Sequence, residues 1–322
     1  MNRFHAAALG AVLLASLPAV GQAEGFPDKP ITFVVPFAAG TATDQIARAI
    51  GVQITAATKQ PVVIDNKAGA SGMIAAQQVA KAAPDGYTVL ITTNTTHAAN
   101  EHLYKKLSYD PVKDFAPVTA LGKGGQIMVV NNAFPARSVG EFVALAKKEP
   151  GKLSFGSGSS SSRMAGELLQ QMAGIQLLHV PYKSNTLAVT DLLGGQIQMM
   201  ITDTATGLPQ VKAGKLRALG VSGDKRSPLA PDVPTISEAG VKGYEMGYWF
   251  AAYAPANTPP AVVKRLNELM VQAARSQEAK TSFYEPTGTE VFTSSPDELA
   301  KFQAGESQKW GRIVKAAGIE AE

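Results

Sequence analysis

A buried strand that runs directly into a helix is predicted near the start of the chain. The apolar, β-branched residues Ile31 to Val35 have the pattern of a parallel strand covered on both faces. A loop of small residues, Ala38 to Thr41, follows, and Thr41 and Asp44 have the spacing of a helix cap. Such a loop leaves backbone N–H groups at the positive end of a helix dipole, where an anion can bind. An ordinary turn between strand and helix gives the same pattern.

Strand and helix patterns alternate along most of the remaining chain. Buried strands are predicted at 61–66, 87–93, 126–130, 153–156 and 198–202, with helical stretches between several of them. This alternation predicts an α/β fold of two lobes, each a doubly wound sheet flanked by helices. Residues 24–124 and 247–322 are expected to form one discontinuous domain, and residues 125–246 the other.

A second loop of small residues precedes a predicted helix about 115 residues after the first. Here Gly156, Ser157 and Gly158 are followed by four serines, Ser159 to Ser162. Open α/β sheets bind ligands beyond the carboxyl ends of their strands. Two such loops on facing lobes therefore predict a cleft for a small anion. The alternative is that each loop only caps its helix.

Two charged residues next to these loops are further candidates. Arg163 lies at the start of the helix behind the serine loop, where the helix dipole disfavours a cation. Its guanidinium could hold a ligand carboxylate through two hydrogen bonds, or it could point to solvent. Asp203, just after a predicted strand, could cap a backbone N–H group or accept a hydrogen bond from a ligand.

The sequence has few of the residues that catalysis requires. It contains no cysteine, and the serine loop does not fit the G-x-S-x-G pattern of serine hydrolases. His97 is expected in a loop and His179 inside an apolar strand, and no histidine has metal-ligand spacing. We expect no catalytic residue, no metal and no cofactor. The alternative is an exported serine hydrolase that uses Ser157 to Ser162, although a base partner is not evident.

The N-terminus predicts export. Arg3 precedes an apolar stretch from Ala6 to Leu17, and small residues lead up to Ala23. This is the layout of a secretory signal peptide, residues 1–23, cleaved near Ala23. The net charge is +4, but the basic residues are spread along the chain, so nucleic-acid binding is not indicated.

Ten stretches resemble the extracytoplasmic solute receptors of the tripartite tricarboxylate transporter family, also called Bug proteins. They are FPDKPITFVVPFAAG, VVIDNKAGASG, AKAAPDGYTVL, YDPVKDFAPVT, GKLSFGSGSSSSRMAGELL, HVPYKS, TDLLGGQIQMM, AGKLRALGV, KRSPLAPDVPTISEAG and VVKAAGI. The resemblance implies a periplasmic binding protein of the type II, Venus-flytrap form, with a small carboxylate between its lobes. It further implies delivery to the membrane permease subunits of a tripartite transporter. A dicarboxylate or an aromatic acid such as terephthalate is the expected ligand, and a monomer is the expected state.

The resemblance also implies which residues bind the ligand. In the first lobe these are Phe37, Ala38, Ala39, Gly40 and Asp44, with Thr93, Asn94 and Thr95 nearby; in the second they are Ser157, Ser159, Ser160, Ser161, Ser162, Thr202 and Asp203. The chain departs from the family pattern at three places. Thr41 stands where the family usually has glycine, Arg163 where it usually has histidine, and Ser184-Asn185 where it usually has two glycines. All three changes add polar or charged groups, which favours a ligand with a second polar or charged end.

Overall fold

Ten strands form one mixed sheet in the computed structural model, which describes residues 25–316 and 318–321. The predicted signal peptide lies outside the described residues. The strands are β1 (Ile31–Val35), β2 (Val62–Asn66), β3 (Thr88–Thr93), β4 (Phe115–Asn131), β5 (Ser154–Ser157), β6 (Leu178–Pro181), β7 (Met199–Asp203), β8 (Leu216–Val221), β9 (Gly247–Pro255) and β10 (Glu290–Val291). Their order is β2-β1-β3-β9-β4-β7-β5-β6, and β8 and β10 also pair with β4.

Helices cover the sheet and follow most of its parallel strands. They are α1 (Ala42–Thr58), α2 (Met73–Ala80), α3 (Asn100–Leu103), α4 (Val139–Lys148), α5 (Ser160–Ala173), α6 (Asn185–Leu193), α7 (Thr204–Lys212), α8 (Pro260–Arg275), α9 (Gln277–Ala279), α10 (Glu285–Thr287) and α11 (Pro296–Ala316). Single turns with other hydrogen-bond spacings occur at Ala70–Gly72, Thr95–Ala99 and Lys280–Tyr284. No helix in the described part of the chain combines the length and hydropathy that a bilayer span requires.

The sheet consists of two parallel parts joined by antiparallel strands. Strands β1, β2 and β3 are mutually parallel and form the first lobe, while β5, β6 and β7 are parallel in the second. Strand β9 runs antiparallel to β3, and β4 runs antiparallel to both β9 and β7. The predicted two-lobe α/β fold is therefore confirmed, with mixed rather than purely parallel strand pairing.

Strand β4 extends from one lobe into the other. Its first part pairs with β9, from Phe115 opposite Pro255 to Gly125 opposite Gly247, and its last part pairs with β7 and β8. The sequence predicts a shorter strand, 126–130, because the glycines before it suggest a loosened chain. These glycines stay extended because β9 pairs with them on one side and β10 pairs with Gly122 on the other.

The apolar faces of the helices lie where the sequence periodicity predicts them. Ile46, Ile50 and Ile54 on α1 are buried, as are Leu266 and Met270 on α8. These two helices pack together on one side of the first lobe. Helix α11 packs against β4 and against the turn after β3. The last helices therefore complete the first lobe around its strands.

Candidate ligand-binding site

A cavity lies between the two lobes, beyond the carboxyl ends of their parallel strands. It is narrow and partly open to solvent, with a volume of about 30 Å³. Sites for small organic ligands usually hold about 300–1,000 Å³, so a ligand would need the lobes to move apart. Its lining residues are Phe37, Thr41, Ala42, Thr43, Thr93, Gln126, Gly158, Ser159, Ser161, Asn185, Asp203, Tyr248 and Phe250.

The start of α1 forms the wall on the first lobe. The Thr41 hydroxyl accepts a hydrogen bond from the Asp44 N–H group at 3.4 Å and donates to the Ala38 carbonyl at 2.8 Å. Ala42 and Thr43, the next two residues, line the cavity. The first N–H groups of a helix have no acceptor within it, and none of the described residues accepts from these two. They can therefore bind an anion.

Asp44 holds this loop in shape and does not line the cavity. Its buried carboxylate accepts from the Gly40 N–H group at 2.8 Å and from Asn66 Nδ2 at 3.1 Å. It also forms an ion pair with Arg48, whose Nη2 lies 2.9 Å away. Burial alone would raise the pKa of the Asp44 carboxyl, but Arg48, Gly40 and Asn66 together lower it below its usual value.

Replacing Asp44 by asparagine is expected to destabilise the protein and to change its acid sensitivity. Hydrogen bonds to a charged group contribute about 1.5–3 kcal/mol, so the free energy of unfolding should fall by about that amount at neutral pH. Because folding lowers the pKa of Asp44, its contribution is complete above the unfolded-state pKa and is lost as the pH falls through the folded-state pKa. The wild type should therefore lose more stability than Asp44→Asn between about pH 5 and pH 2. Denaturant unfolding at several pH values gives the free energy of unfolding of both proteins. Parallel curves of this free energy against pH would contradict the prediction.

The start of α5 forms the wall on the second lobe. Ser159 caps the helix, since its hydroxyl accepts from the Ser162 N–H group at 3.2 Å and Ser162 Oγ accepts from the Ser159 N–H group. Ser161 lies in the first turn and lines the cavity. No described residue accepts from the N–H groups of Ser160 and Ser161. The positive ends of α1 and α5 therefore both open on one cavity.

Hydrogen bonds join the two lobes beside the cavity. Ser160 Oγ donates to Asn100 Oδ1 of the first lobe at 2.7 Å. Ser161 Oγ lies 3.5 Å from Thr95 Oγ1, in the wide helical turn that follows β3. Within the first lobe, the Asn94 amide donates to the carbonyl of Gly247, at the start of β9. The contacts of Ser160 and Ser161 hold the start of α5 against the first lobe.

Asp203 caps a helix that the sequence patterns do not reveal. Its carboxylate accepts from the Thr206 N–H group at 2.8 Å and from Asn185 Nδ2 at 3.1 Å. Helix α7, which starts at Thr204, contains Gly207 and Pro209, and both residues are unfavourable inside a helix. Among the described residues, Asp203 is the only charged one in the lining, so positive potential in the cavity comes from helix ends rather than basic side chains.

The cavity lining includes six of the seventeen predicted site residues: Phe37, Thr41, Thr93, Ser159, Ser161 and Asp203. The other predicted residues are not part of the lining; they are Ala38, Ala39, Gly40, Asp44, Asn94, Thr95, Ser157, Ser160, Ser162, Arg163 and Thr202. The Arg163 Nε atom lies 3.8 Å from Glu167 Oε1, one turn further along α5.

Seven lining residues are not among the predicted ones: Ala42, Thr43, Gln126, Gly158, Asn185, Tyr248 and Phe250. Ala42 and Thr43 follow directly from the predicted start of α1, so cap geometry could have identified them. Tyr248, Phe250 and Gln126 come from the two strands that join the lobes. Burial raises the pKa of the Tyr248 hydroxyl to about 12, so this group stays neutral.

One serine of the loop has a histidine partner that the sequence does not indicate. Ser157 Oγ lies 2.7 Å from His179 Nε2. Parallel pairing of β5 with β6 brings the two residues together. Ser157 is buried and does not line the cavity, whereas the lining serines Ser159 and Ser161 contact each other through their hydroxyls. Among the described residues, no cluster of three or more acidic or histidine side chains could hold a metal ion.

Two α/β lobes joined by paired strands, with helix ends around a cavity between them, define a two-lobe solute-binding protein. A family model described as tripartite tricarboxylate transporter family receptor matches residues 46–319. The chain belongs to this family, whose members are periplasmic solute-binding receptors, also known as Bug proteins.

Named relatives and solved structures agree with this assignment. BugT of Bordetella pertussis is 32% identical over 312 residues, which is 96% of this chain and 95% of BugT. A structure of an R. palustris protein with adipate is 35% identical, with a TM-score of 0.89, over 92% of this chain and all of that one. MatC from Rhodopseudomonas palustris with bound malate is 32% identical, with a TM-score of 0.85, over 90% of this chain and all of that one.

Proposed function

We propose that this receptor captures a small carboxylate in the cavity between its lobes and delivers it to the permease subunits of a tripartite tricarboxylate transporter. The main support is that the first turns of α1 and α5 both open on this cavity. Among the described residues, no lysine or arginine lines it. Helix N-termini bind carboxylates through N–H groups and the helix dipole. Adipate and malate in the related structures support this ligand class.

The proposed ligand is a dicarboxylate or an aromatic acid such as terephthalate. Two helix ends can each bind one carboxylate group, while Phe37, Tyr248 and Phe250 offer apolar surface between them.

Residues 1–23 are the export signal, cleaved near Ala23, and the mature chain works in the periplasm as a monomer. Residues 24–124 with 247–322, and residues 125–246, form the two domains that close on the ligand.

A ligand screen tests this function. Thermal unfolding of the mature chain is measured with aliphatic dicarboxylates of four to eight carbons, with aromatic mono- and dicarboxylates, and with their amides as uncharged controls. A ligand at 100 times its dissociation constant stabilises the folded state by about 2.7 kcal/mol, so acids that bind should raise the melting temperature. Calorimetry then gives dissociation constants. If no acid stabilises the protein more than its matched amide does, the proposal is refuted.

A weaker affinity is expected when the hydrogen bond between Ser160 and Asn100 is removed. Ser160→Ala leaves the cavity lining intact but loses a bond that joins the lobes. A hydrogen bond of this kind contributes about 0.5–1.5 kcal/mol, so affinity should fall by about 2- to 10-fold, mainly through faster dissociation. Stopped-flow fluorescence measures the dissociation rate. The control is Ser307→Ala, which removes a hydroxyl bonded to Glu101 within the first lobe. Equal dissociation rates in the two variants would contradict a role for Ser160 in closure.

The contact between Ser157 and His179 favours one alternative, an exported serine hydrolase. A serine hydroxyl within hydrogen-bond distance of an imidazole is the first requirement for such a nucleophile. Against it, Ser157 is buried and does not face the cavity. Hydrolysis of aryl esters by the mature chain that disappears in Ser157→Ala, with carboxylate binding unchanged, would support this alternative.

A further inference from the structure

Gln126 has an unusual position in the wall of the cavity. It belongs to β4, where its N–H group donates to Ser222 Oγ at 2.6 Å and its carbonyl accepts from the Ser222 N–H group at 2.8 Å. The next four residues, Ile127 to Val130, are all apolar and buried. The backbone of Gln126 is thus held firmly, and its side chain is a polar group at the start of an apolar run.

The carboxamide of Gln126 lacks the partners that its neighbours have. Gln126 is 1% exposed, and its Oε1 atom is buried without a hydrogen-bond partner among the described residues. Asn185, the other amide in the lining, uses its Oδ1 for Gly158 and Ser162 and its Nδ2 for Asp203. A buried amide without a partner is unfavourable, so Gln126 is prepared for a group that enters the cavity.

Asp203, the residue opposite Gln126 in the sheet, indicates which ligand group Gln126 would bind. Gln126 is directly paired with Asp203 of β7, and directly paired residues project to the same face of a sheet. Both line the cavity, so an amide oxygen and a carboxylate face the same part of it. Asp203 repels a second anionic group there, whereas a hydroxyl can donate to either acceptor and accept from the amide N–H of Gln126.

We infer that Gln126 favours ligands that have a hydroxyl group a few atoms away from their carboxylate. The carboxylate binds at the helix N-termini, and the hydroxyl reaches Gln126 near Asp203. This inference rests on the proposed function, since it concerns the same cavity. It differs from that proposal in assigning one residue the task of distinguishing hydroxylated acids from their unsubstituted counterparts.

Matched ligand pairs test the inference. Calorimetry compares succinate with malate, adipate with 3-hydroxyadipate, and terephthalate with 2-hydroxyterephthalate on the mature chain. In whichever pairs bind, the hydroxylated member should bind about tenfold more tightly to the wild type, as expected for one well-formed hydrogen bond. Gln126→Met, with a side chain of similar length and no amide, should reduce this preference to about twofold or less.

A second variant shows whether a lost preference comes from the amide or from misfolding of Gln126→Met. Gln126→Asn keeps the amide but shortens it by one methylene group, so it should also lose the preference while keeping the backbone contacts with Ser222. If carboxylates bind but the hydroxylated members are not preferred, or if both variants retain the preference, the inference is refuted while the proposed function stands. If no carboxylate binds at all, both are refuted together.

Discussion

Gly158→Ala is expected to disrupt the second lobe. A Cβ atom built on Gly158 would lie 1.9 Å from the carbonyl carbon of Ser184 and 2.1 Å from the N atom of Asn185, both backbone atoms. Backbone cannot move aside as a flexible side chain can, so the serine loop and the start of α6 must separate. Overpacking of this kind costs about 1–3 kcal/mol and sometimes more, and we expect a value at or above the upper end. Separation would also displace Ser159 and Asn185 from the cavity wall.

The matched control is Gly305→Ala. Gly305 lies inside α11, and apart from the nearby backbone of this helix no atom of the described residues lies within 4 Å of a Cβ built there. Alanine is more favourable than glycine inside a helix by about 1 kcal/mol, so this variant should be as stable as the wild type or more stable. Urea unfolding gives both free energies, and calorimetry with a bound acid gives the affinities. A Gly158→Ala protein as stable as the wild type, with full affinity, would contradict the packing described for this loop.

Ser161→Asp is expected to weaken ligand binding without lowering the stability of the fold. An acidic residue in the first turn of a helix is favourable by about 0.3–1 kcal/mol, so the variant should fold at least as well as the wild type. Because Ser161 lines the cavity, the new carboxylate would lie near the bound ligand. Two like charges about 4 Å apart repel by about 1 kcal/mol in water and about 4 kcal/mol near a protein surface. Affinity should therefore fall by about 5- to 1000-fold.

Ser161→Asn is the control for shape. It has nearly the same size as the aspartate but no charge, so it should lose much less affinity than Ser161→Asp. The difference should shrink as salt is added, since ions screen charge repulsion in a cavity that is partly open to solvent. Equal losses in the two variants would mean that the ligand group near α5 is not anionic. The ligand would then meet the helix end with a neutral polar group.

The sequence predicted the cavity walls best where a local pattern determines the structure. Thr41 and Asp44 predicted where α1 begins, and that start brings Ala42 and Thr43 to the cavity. The role of Asp44 could not be predicted this way, because its carboxylate is held by Asn66, which lies 22 residues away in sequence. The Asp44 carboxylate, held in this way, accepts a hydrogen bond from the Gly40 N–H group, so this group is not available to a ligand.

Strand pairing across the lobes explains most of what sequence patterns missed. Gln126 belongs to no motif, and its place in the wall depends on pairing with Asp203, 77 positions later. The length of β4 likewise depends on β9 and β10, which supply partners for glycines that alone suggest a flexible turn. Helix α7 forms despite Gly207 and Pro209 because tertiary packing outweighs local preference.

Strands β4 and β9 pair with each other as far as Gly125 and Gly247, where the chain passes between the lobes, so both crossings start from one hydrogen-bonded ribbon. A ribbon bends out of its plane more easily than it stretches or shears, so the proposed closure should follow mainly one angular coordinate. Because the chain has no cysteine, two engineered thiols, one on each lobe, can be labelled without competing sites. A donor and acceptor dye attached there would report the concentration of the captured acid as a single change in energy transfer. If the proposed closure occurs about this ribbon, the receptor is a scaffold for an optical sensor.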